Sequence, residues 1–273
     1  MRIFLMTDME GTAGVMNFAD WCSPGDRYYE LGREFVTREA NAAIDGFFAA
    51  GATAVTVADG HGAGAIAPQL LDVRAELMRG WPEGFPFGLE ADYDGIAWVG
   101  QHAKAGTAWA HLAHTQSCRY IDLAVNGISI GEFGQMALCA AELGVPVFFG
   151  AGDQAFTVEA AALVPGIETV AVKRGRTPGS GDDLDLEAYT RRNTSAVHLA
   201  PAAAGERIRA AAYRAARRLA QGHRPRPVPV AAPYVRMARF RATAELPRQQ
   251  SRETHDTSVI AVMNLPFAMQ PAG

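Results

Sequence analysis

The sequence predicts an α/β fold: a central, largely parallel sheet flanked by helices, with a smaller and less regular C-terminal portion. Three observations predict it. Short apolar runs alternate with segments of helical spacing up to about residue 173. The first such unit reads strand, helix, strand, the order of a right-handed parallel crossover. Beyond Lys173 the texture shifts to Gly, Arg, Asp and Pro. Residues 1–175 therefore read as the α/β unit, and residues 176–273 as a portion packed on it that need not be an independent domain.

The elements follow in order. Residues 2–7 are apolar enough for a buried strand. Residues 28–50 carry Leu31, Phe35, Ala40, Ile44, Phe47 and Phe48 at helical spacing, and Gly51 supplies a C-terminal stop. Residues 53–58 form a second strand, followed by Asp59-Gly60-His61-Gly62. Residues 96–99 form a third, ending in Gly100-Gln101-His102. Asn126-Gly127 between two apolar runs signals a tight hairpin. Glu132 opens a helix through about Leu143, and residues 145–149 form a strand. Asp153 caps the next helix, and residues 167–172 form another strand. A long loop over 174–186, an Ala/Arg helix over 201–221, a Pro-rich connector over 223–233 and a strand within 234–242 complete the reading.

Bulk properties narrow the function. A chain of 273 residues with 49% hydrophobic and 20% charged residues can build a large core. A net charge of −4 gives no electrostatic case for nucleic acid or an acidic membrane. The arginines between Arg207 and Arg218 alternate with alanine and read as a solvated helix face. Cys22, Cys118 and Cys139 lack the spacing of a disulfide framework or a Cys-based zinc site, and Cys118 and Cys139 read as core residues. There is no basic leader with a long apolar run and no apolar stretch of membrane length, so a soluble cytoplasmic protein is expected.

The chemistry concentrates at strand ends. Asp8 and Glu10 are two residues apart and project to one side where the first strand exits. Carboxylates held side by side repel unless a cation or proton lies between them. Ligands in open α/β sheets gather outside the carboxyl ends of the strands. His61 follows the second strand, His102 the third, and Glu132 the hairpin. Each alone fits a cap or a surface charge; together they form a carboxylate and imidazole set suited to Zn²⁺, with Mn²⁺ or another divalent ion compatible. Five donors exceed one open catalytic site and suit two metals sharing a carboxylate. His111 and His114 are both available as base, acid or nucleophile near such a site. No HExxH, phosphate-loop ending or GxSxG elbow is present.

The motifs taken together resemble the D-aminopeptidase family, peptidase family M55. The family's opening Ser-x-Asp-x-Glu-Gly is similar to Thr7-Asp8-Met9-Glu10-Gly11. Tyr29-Glu30-Leu31-Gly32-Arg33, Thr37-Arg38-Glu39-Ala40-Asn41, Asp59-Gly60-His61-Gly62 and Gly100-Gln101-His102-Ala103-Lys104 follow in register. Leu112-Ala113-His114-Thr115, Gly131-Glu132-Phe133-Gly134 and Ala151-Gly152-Asp153 complete the series. The resemblance implies a two-zinc amidohydrolase acting on small peptides or amides with N-terminal D-amino acids. It implies Asp8, Glu10, His61, His102 and Glu132 as ligands and His114 as the catalytic histidine; Asp8, whose carboxylate has two oxygens, is the expected bridge. It also implies a homo-oligomer, a decamer of stacked pentamers. An N-acyl or aryl amide hydrolase, a metal-binding protein without turnover, and a phosphoesterase are the competing readings of the same residues. The chain departs from the family pattern at Gly60, at Ala65-Ile66, over residues 174–193 and in the last forty residues. Those segments bear on the substrate rather than on the metal ligands.

Overall fold

β1 (Arg2–Thr7) alternates its side chains across a sheet, sending Ile3 and Leu5 into one core and Phe4 and Met6 into another. The computed structural model describes residues 1–272. After β1 come α1 (Phe18–Trp21), α2 (Tyr29–Ala49), β2 (Ala54–Asp59), β3 (Glu76–Met78) and β4 (Gly95–Gln101). The hairpin β5 (Tyr120–Val125) and β6 (Ile128–Ser129) leads into α3 (Glu132–Leu143), β7 (Val147–Asp153), α4 (Gln154–Leu163) and β8 (Glu168–Gly175). Then follow α5 (Leu186–Arg192), β9 (Ala196–His198), α6 (Pro201–Ala220), β10 (Tyr234–Phe240), β11 (Gln249–His255), α7 (Val259–Asn264) and β12 (Gln270–Pro271).

The larger sheet has the order β3-β2-β1-β4-β7-β8-β9. Its strands are parallel except for the antiparallel pair β8–β9. The chain steps from β1 to β2 and β3 on one side, then returns to β4 on the other. The boundary between β1 and β4 is thus a topological switch point, where a crevice opens at the carboxyl edge. α2 and α6 cover the Ile3 and Leu5 face. α3, α4 and α7 cover the Phe4 and Met6 face together with the second sheet. That sheet is antiparallel, in the order β12-β11-β10-β5-β6. The Asn126-Gly127 hairpin belongs to it, with φ of 49° at Asn126 and 82° at Gly127, as a two-residue turn requires.

The structure differs from the sequence reading in places with clear causes. β7 continues to Asp153 and β8 to Gly175, because Gly150, Gly152 and the Lys173-Arg174-Gly175 end carry no apolar alternation. β3, α5 and β9 are too short for periodicity to reveal. The last forty residues supply β10, β11, α7 and β12. Cys118 is half-buried and lines a cavity rather than the core, whereas Cys22 and Cys139 are buried. The arginine face of α6 is solvated, with Arg209 paired to Asp45 and Arg214 to Glu168. Among the described residues, no helix is long and apolar enough to cross a membrane.

α2 and α6 meet at Gly46, where an added Cβ would lie 2.5 Å from the Arg209 carbonyl oxygen. That atom is backbone, so relief needs a shift of a whole helix. Gly46→Ala is expected to lose about 1–3 kcal/mol despite the better helix propensity of alanine. Chemical denaturation measures this, and a stabilised variant would contradict the packing described.

Candidate metal centre

β1, β2 and β4 are neighbours and parallel, so their carboxyl ends bring three ligand-bearing loops to one edge. Asp8 leaves β1, His61 lies two residues past β2, and His102 follows β4 directly. Glu132 arrives from the second sheet as the first residue of α3. Gly11 lets the first loop press against β4: its N–H donates to the Gly100 carbonyl at 2.7 Å. A Cβ there would lie 2.0 Å from the Gln101 carbonyl oxygen.

All five candidate ligands named from the sequence converge, and Asp8 is at their centre. Its Oδ1 lies 3.2 Å from His61 Nδ1, and its Oδ2 lies 3.1 Å from His102 Nε2. Glu10 Oε2 is 3.2 Å from the same His61 Nδ1. Glu132 Oε1 is 3.6 Å from both His102 Nε2 and His114 Nε2. The rings of His102 and His114 stack with centroids 4.0 Å apart. Ligand atoms thus form two compact groups: Asp8, Glu10 and His61, and beside them His102, His114 and Glu132. His111 goes elsewhere. Its Nε2 faces the Met16 carbonyl at 3.0 Å, and its ring meets His198 edge-on.

Each site histidine is held by a backbone carbonyl on its far nitrogen. His61 Nε2 donates to Cys22 O at 2.8 Å, His102 Nδ1 to Ala103 O at 2.9 Å, and His114 Nδ1 to Leu112 O at 3.0 Å. A ring that spends its N–H outward presents a lone pair inward, the tautomer a metal ligand needs. Leu112 has φ of 54°, a strained value for leucine, and its carbonyl is the one that orients His114.

The donor set fits cations. Glu10 Oε2 and His102 Nε2 are buried without a hydrogen-bond partner, although each lies close to an opposite group. Such atoms are costly unless something fills the space they share. Burial opposes charge on His61, yet Glu10 and Asp8 override it and push its pKa up to about 12. Burial likewise works against the Asp8 carboxylate, but His102 and His61 hold it well below the usual range. His102 is raised against its burial by Glu132 and Asp8, and Glu132 is lowered against its burial by His102. Protons on the imidazoles thus supply positive charge that the carboxylates demand and that bound cations would supply instead.

Two cavities open onto this cluster and share Asp8, His61 and Glu132. One, of about 440 Å³, is lined by His114, Ser23, Ser117, Cys118 and Thr190. The other, of about 390 Å³, runs towards Trp81, Phe85 and Phe87.

Sequence reasoning missed the layer behind the site. Lys173, buried at the end of β8, donates through Nζ to the carbonyls of Glu10 and Val15. A lone lysine closing an apolar strand was the signal for it. Burial lowers its pKa to about 8. Asp153 accepts from the His111 N–H as well as capping α4. Glu39 accepts from the Ala13 N–H at 2.9 Å through Oε1, and its Oε2 has no partner. Asp59 and Arg79 organise the His61 loop: Asp59 accepts from the Ala65 and Ile66 N–H groups, and Arg79 donates to the Asp59, His61 and Gly62 carbonyls.

Burial raises Glu39 from 4.5 to about 8, outweighing the Ala13 N–H and Lys173. The folded chain therefore keeps a proton that the unfolded chain releases at lower pH. This stabilisation is fully present below the unfolded pKa and disappears as pH rises through about 8. Glu39→Gln keeps the acceptor and cannot ionise. Its melting temperature should gain steadily on the wild type from about pH 5 to about pH 8. A difference independent of pH would contradict this assignment.

Comparison with known proteins agrees in family and fold. The sequence model of the family described as D-aminopeptidase, peptidase family M55, matches residues 1–250. The D-aminopeptidase of Bacillus subtilis (strain 168) is 34% identical over 179 residues, covering 64% of this chain and 64% of that relative. The match thus spans less than two thirds of the relative's length. A solved structure, that of the Zn-dependent D-aminopeptidase DppA from Bacillus subtilis, a self-compartmentalizing protease, superposes with a TM-score of 0.79. It is 24% identical, over 97% of this chain and 95% of that one, and shares the fold.

Proposed function

Because the chain belongs to the D-aminopeptidase family, peptidase family M55, we propose that it is a two-zinc hydrolase of small amides and peptides that removes N-terminal D-amino acids. The observation that carries this reading is the common orientation of the three site histidines, each tied outward to a carbonyl and open inward to carboxylates. Asp8, with Glu10 and His61 on one side of it and His102 and Glu132 on the other, would hold the cations. The zinc named for the solved relative supports the metal, and Mn²⁺ suits the same donors. Bound zinc supplies Lewis acidity towards the scissile carbonyl and lowers the pKa of a water.

The chain's own residues do the rest. His114 carries the proton: Leu112 O occupies its Nδ1, so Nε2 is the atom that accepts from the attacking water and gives to the leaving nitrogen. Phe18 packs edge-on against the His114 ring with centroids 5.5 Å apart, which limits its motion and its contact with water. The Gln116 N–H holds Glu132 Oε1 at 2.7 Å, and Gln101 Nε2 donates to Asp8 Oδ2 at 3.3 Å, so both carboxylates keep their aim. The Phe18, Cys22 and Ser23 segment bounds the cavity on the His114 side and narrows the approach of solvent. A closed homo-oligomer, the decamer implied by family resemblance, agrees with the self-compartmentalizing relative.

Asp8→Ala is expected to lose bound zinc and amide hydrolysis together, read by metal analysis and a panel of D- and L-aminoacyl, N-acyl and aryl amides. Full zinc and full activity in that variant would contradict the reading. His114→Ala is expected to keep both zinc ions and to lose about 10²–10⁴-fold in kcat. Loss of one zinc from His114→Ala would make that residue a ligand instead of the proton carrier.

A further inference from the structure

The cavity on the far side of the cluster from His114 has a composition of its own. Its outer wall is built from Trp81, Phe85 and Phe87, and its floor from Met6, Trp98 and Met136. The floor residues are buried core side chains. The three wall rings are half-buried and pack against one another at tilted angles, with centroids 4.3 Å apart for Phe85 and Phe87 and 5.6 Å for Trp81 and Phe87. Beyond the ligand cluster, Arg79 is the one charged residue lining this space among the described residues. Its guanidinium is already engaged by the carbonyls of Asp59, His61 and Gly62.

The wall is held in place at a cost. Phe87 adopts φ of 54°, a region that bulky side chains avoid. Asn264, from α7, clamps the same loop from the C-terminal side. Its Oδ1 accepts from the Phe85 N–H at 2.9 Å, and its Nδ2 donates to the Phe85 carbonyl at 2.8 Å. Backbone strain and a two-point clamp maintain an aromatic surface facing a cavity that opens on the ligands.

His114 lines the other cavity and not this one. A proton donor must stand beside the nitrogen that leaves, so the leaving amine lies in the polar cavity. The acyl residue then points into the aromatic one. We propose that this aromatic cavity is the acyl-residue subsite, and that the protein takes N-terminal residues with a large apolar or aromatic side chain in preference to alanine. This rests on the amidohydrolase reading given above. A neutral ring or branched chain matches walls that offer stacking and no free charge.

The test compares D-Phe-D-Ala, D-Ala-D-Phe and D-Ala-D-Ala on the zinc-loaded protein. D-Phe-D-Ala is expected to exceed D-Ala-D-Ala by at least ~10-fold in kcat/KM, with D-Ala-D-Phe close to D-Ala-D-Ala. Trp81→Ala and Phe87→Gly, the latter tolerant of the positive φ, should bring the first ratio to within ~3-fold while zinc content stays unchanged. Equal rates for D-Phe-D-Ala and D-Ala-D-Ala, or a gain that follows D-Ala-D-Phe, would overturn the proposal. A second readout does not need turnover: titration with the hydroxamates of D-phenylalanine and D-alanine, followed by tryptophan fluorescence. Tighter binding of the phenylalanine compound by at least ~10-fold, lost in Trp81→Ala, supports the subsite even if no peptide is cut. Equal binding of the two overturns it.

Discussion

Two imidazoles approach the Asp8 carboxylate from opposite sides, His61 at one oxygen and His102 at the other. This arrangement requires β1 to lie between β2 and β4, with all three running the same way. It also requires Gly11 and Gly100 to let the β1 and β4 exits touch, since a Cβ at either would strike backbone at 2.0 Å. Glu10 and Glu132 then add negative charge on the two flanks. Buried carboxylates in such numbers would repel and force protonation unless cations stood among them. The carbonyls of Cys22, Ala103 and Leu112 set the three rings beforehand, so little reorganisation is left for binding.

The site stands on a second buried layer that is polar without being chemical. Lys173 ties the loop bearing Glu10 to the end of β8. Glu39 reaches from α2 to the Ala13 N–H, and Asp153 connects the start of α4 to the His111 N–H. His111 belongs to this layer: burial, Lys173 and His198 drive its pKa down to about 2, so it stays neutral. The C-terminal residues contribute on the opposite side, where Asn264 holds the aromatic loop. The exits of the first sheet thus set Asp8, Glu10, His61 and His102, α3 adds Glu132, and the C-terminal Asn264 steadies the aromatic loop.

Much of the candidate site was legible because Asp8, His61 and His102 follow the ends of apolar strands, which period and composition reveal. The two-residue repeat anticipates that Asp8 and Glu10 meet, although the strand ends at Thr7 and Glu10 lies in a turn, so it is the loop that brings both carboxylates to His61. The choice between His111 and His114 was not legible from residues, since the two occupy one loop. Only the fold turns His111 towards Met16 O and His114 towards Glu132. Glu39 and the Asn264 clamp act across the chain and no local pattern announces them, while Lys173 is marked only as a lone lysine closing an apolar strand. The aromatic wall was hidden for the same reason: Trp81, Phe85 and Phe87 lie in an irregular Gly- and Pro-rich stretch without period. β3, α5 and β9 stayed hidden because three to seven residues cannot display a repeat.

The proposal that Asp8 would join two cation positions rests on His61 and His102 meeting its two oxygens. A crystal structure of the zinc-loaded protein, with anomalous scattering recorded at the zinc edge, tests it most directly. Two peaks per chain are expected, one among Asp8, Glu10 and His61, the other among Asp8, His102 and Glu132, with the His61, His102 and His114 rings tied to the Cys22, Ala103 and Leu112 carbonyls. A single peak, or Asp8 turned away from either position, would contradict it.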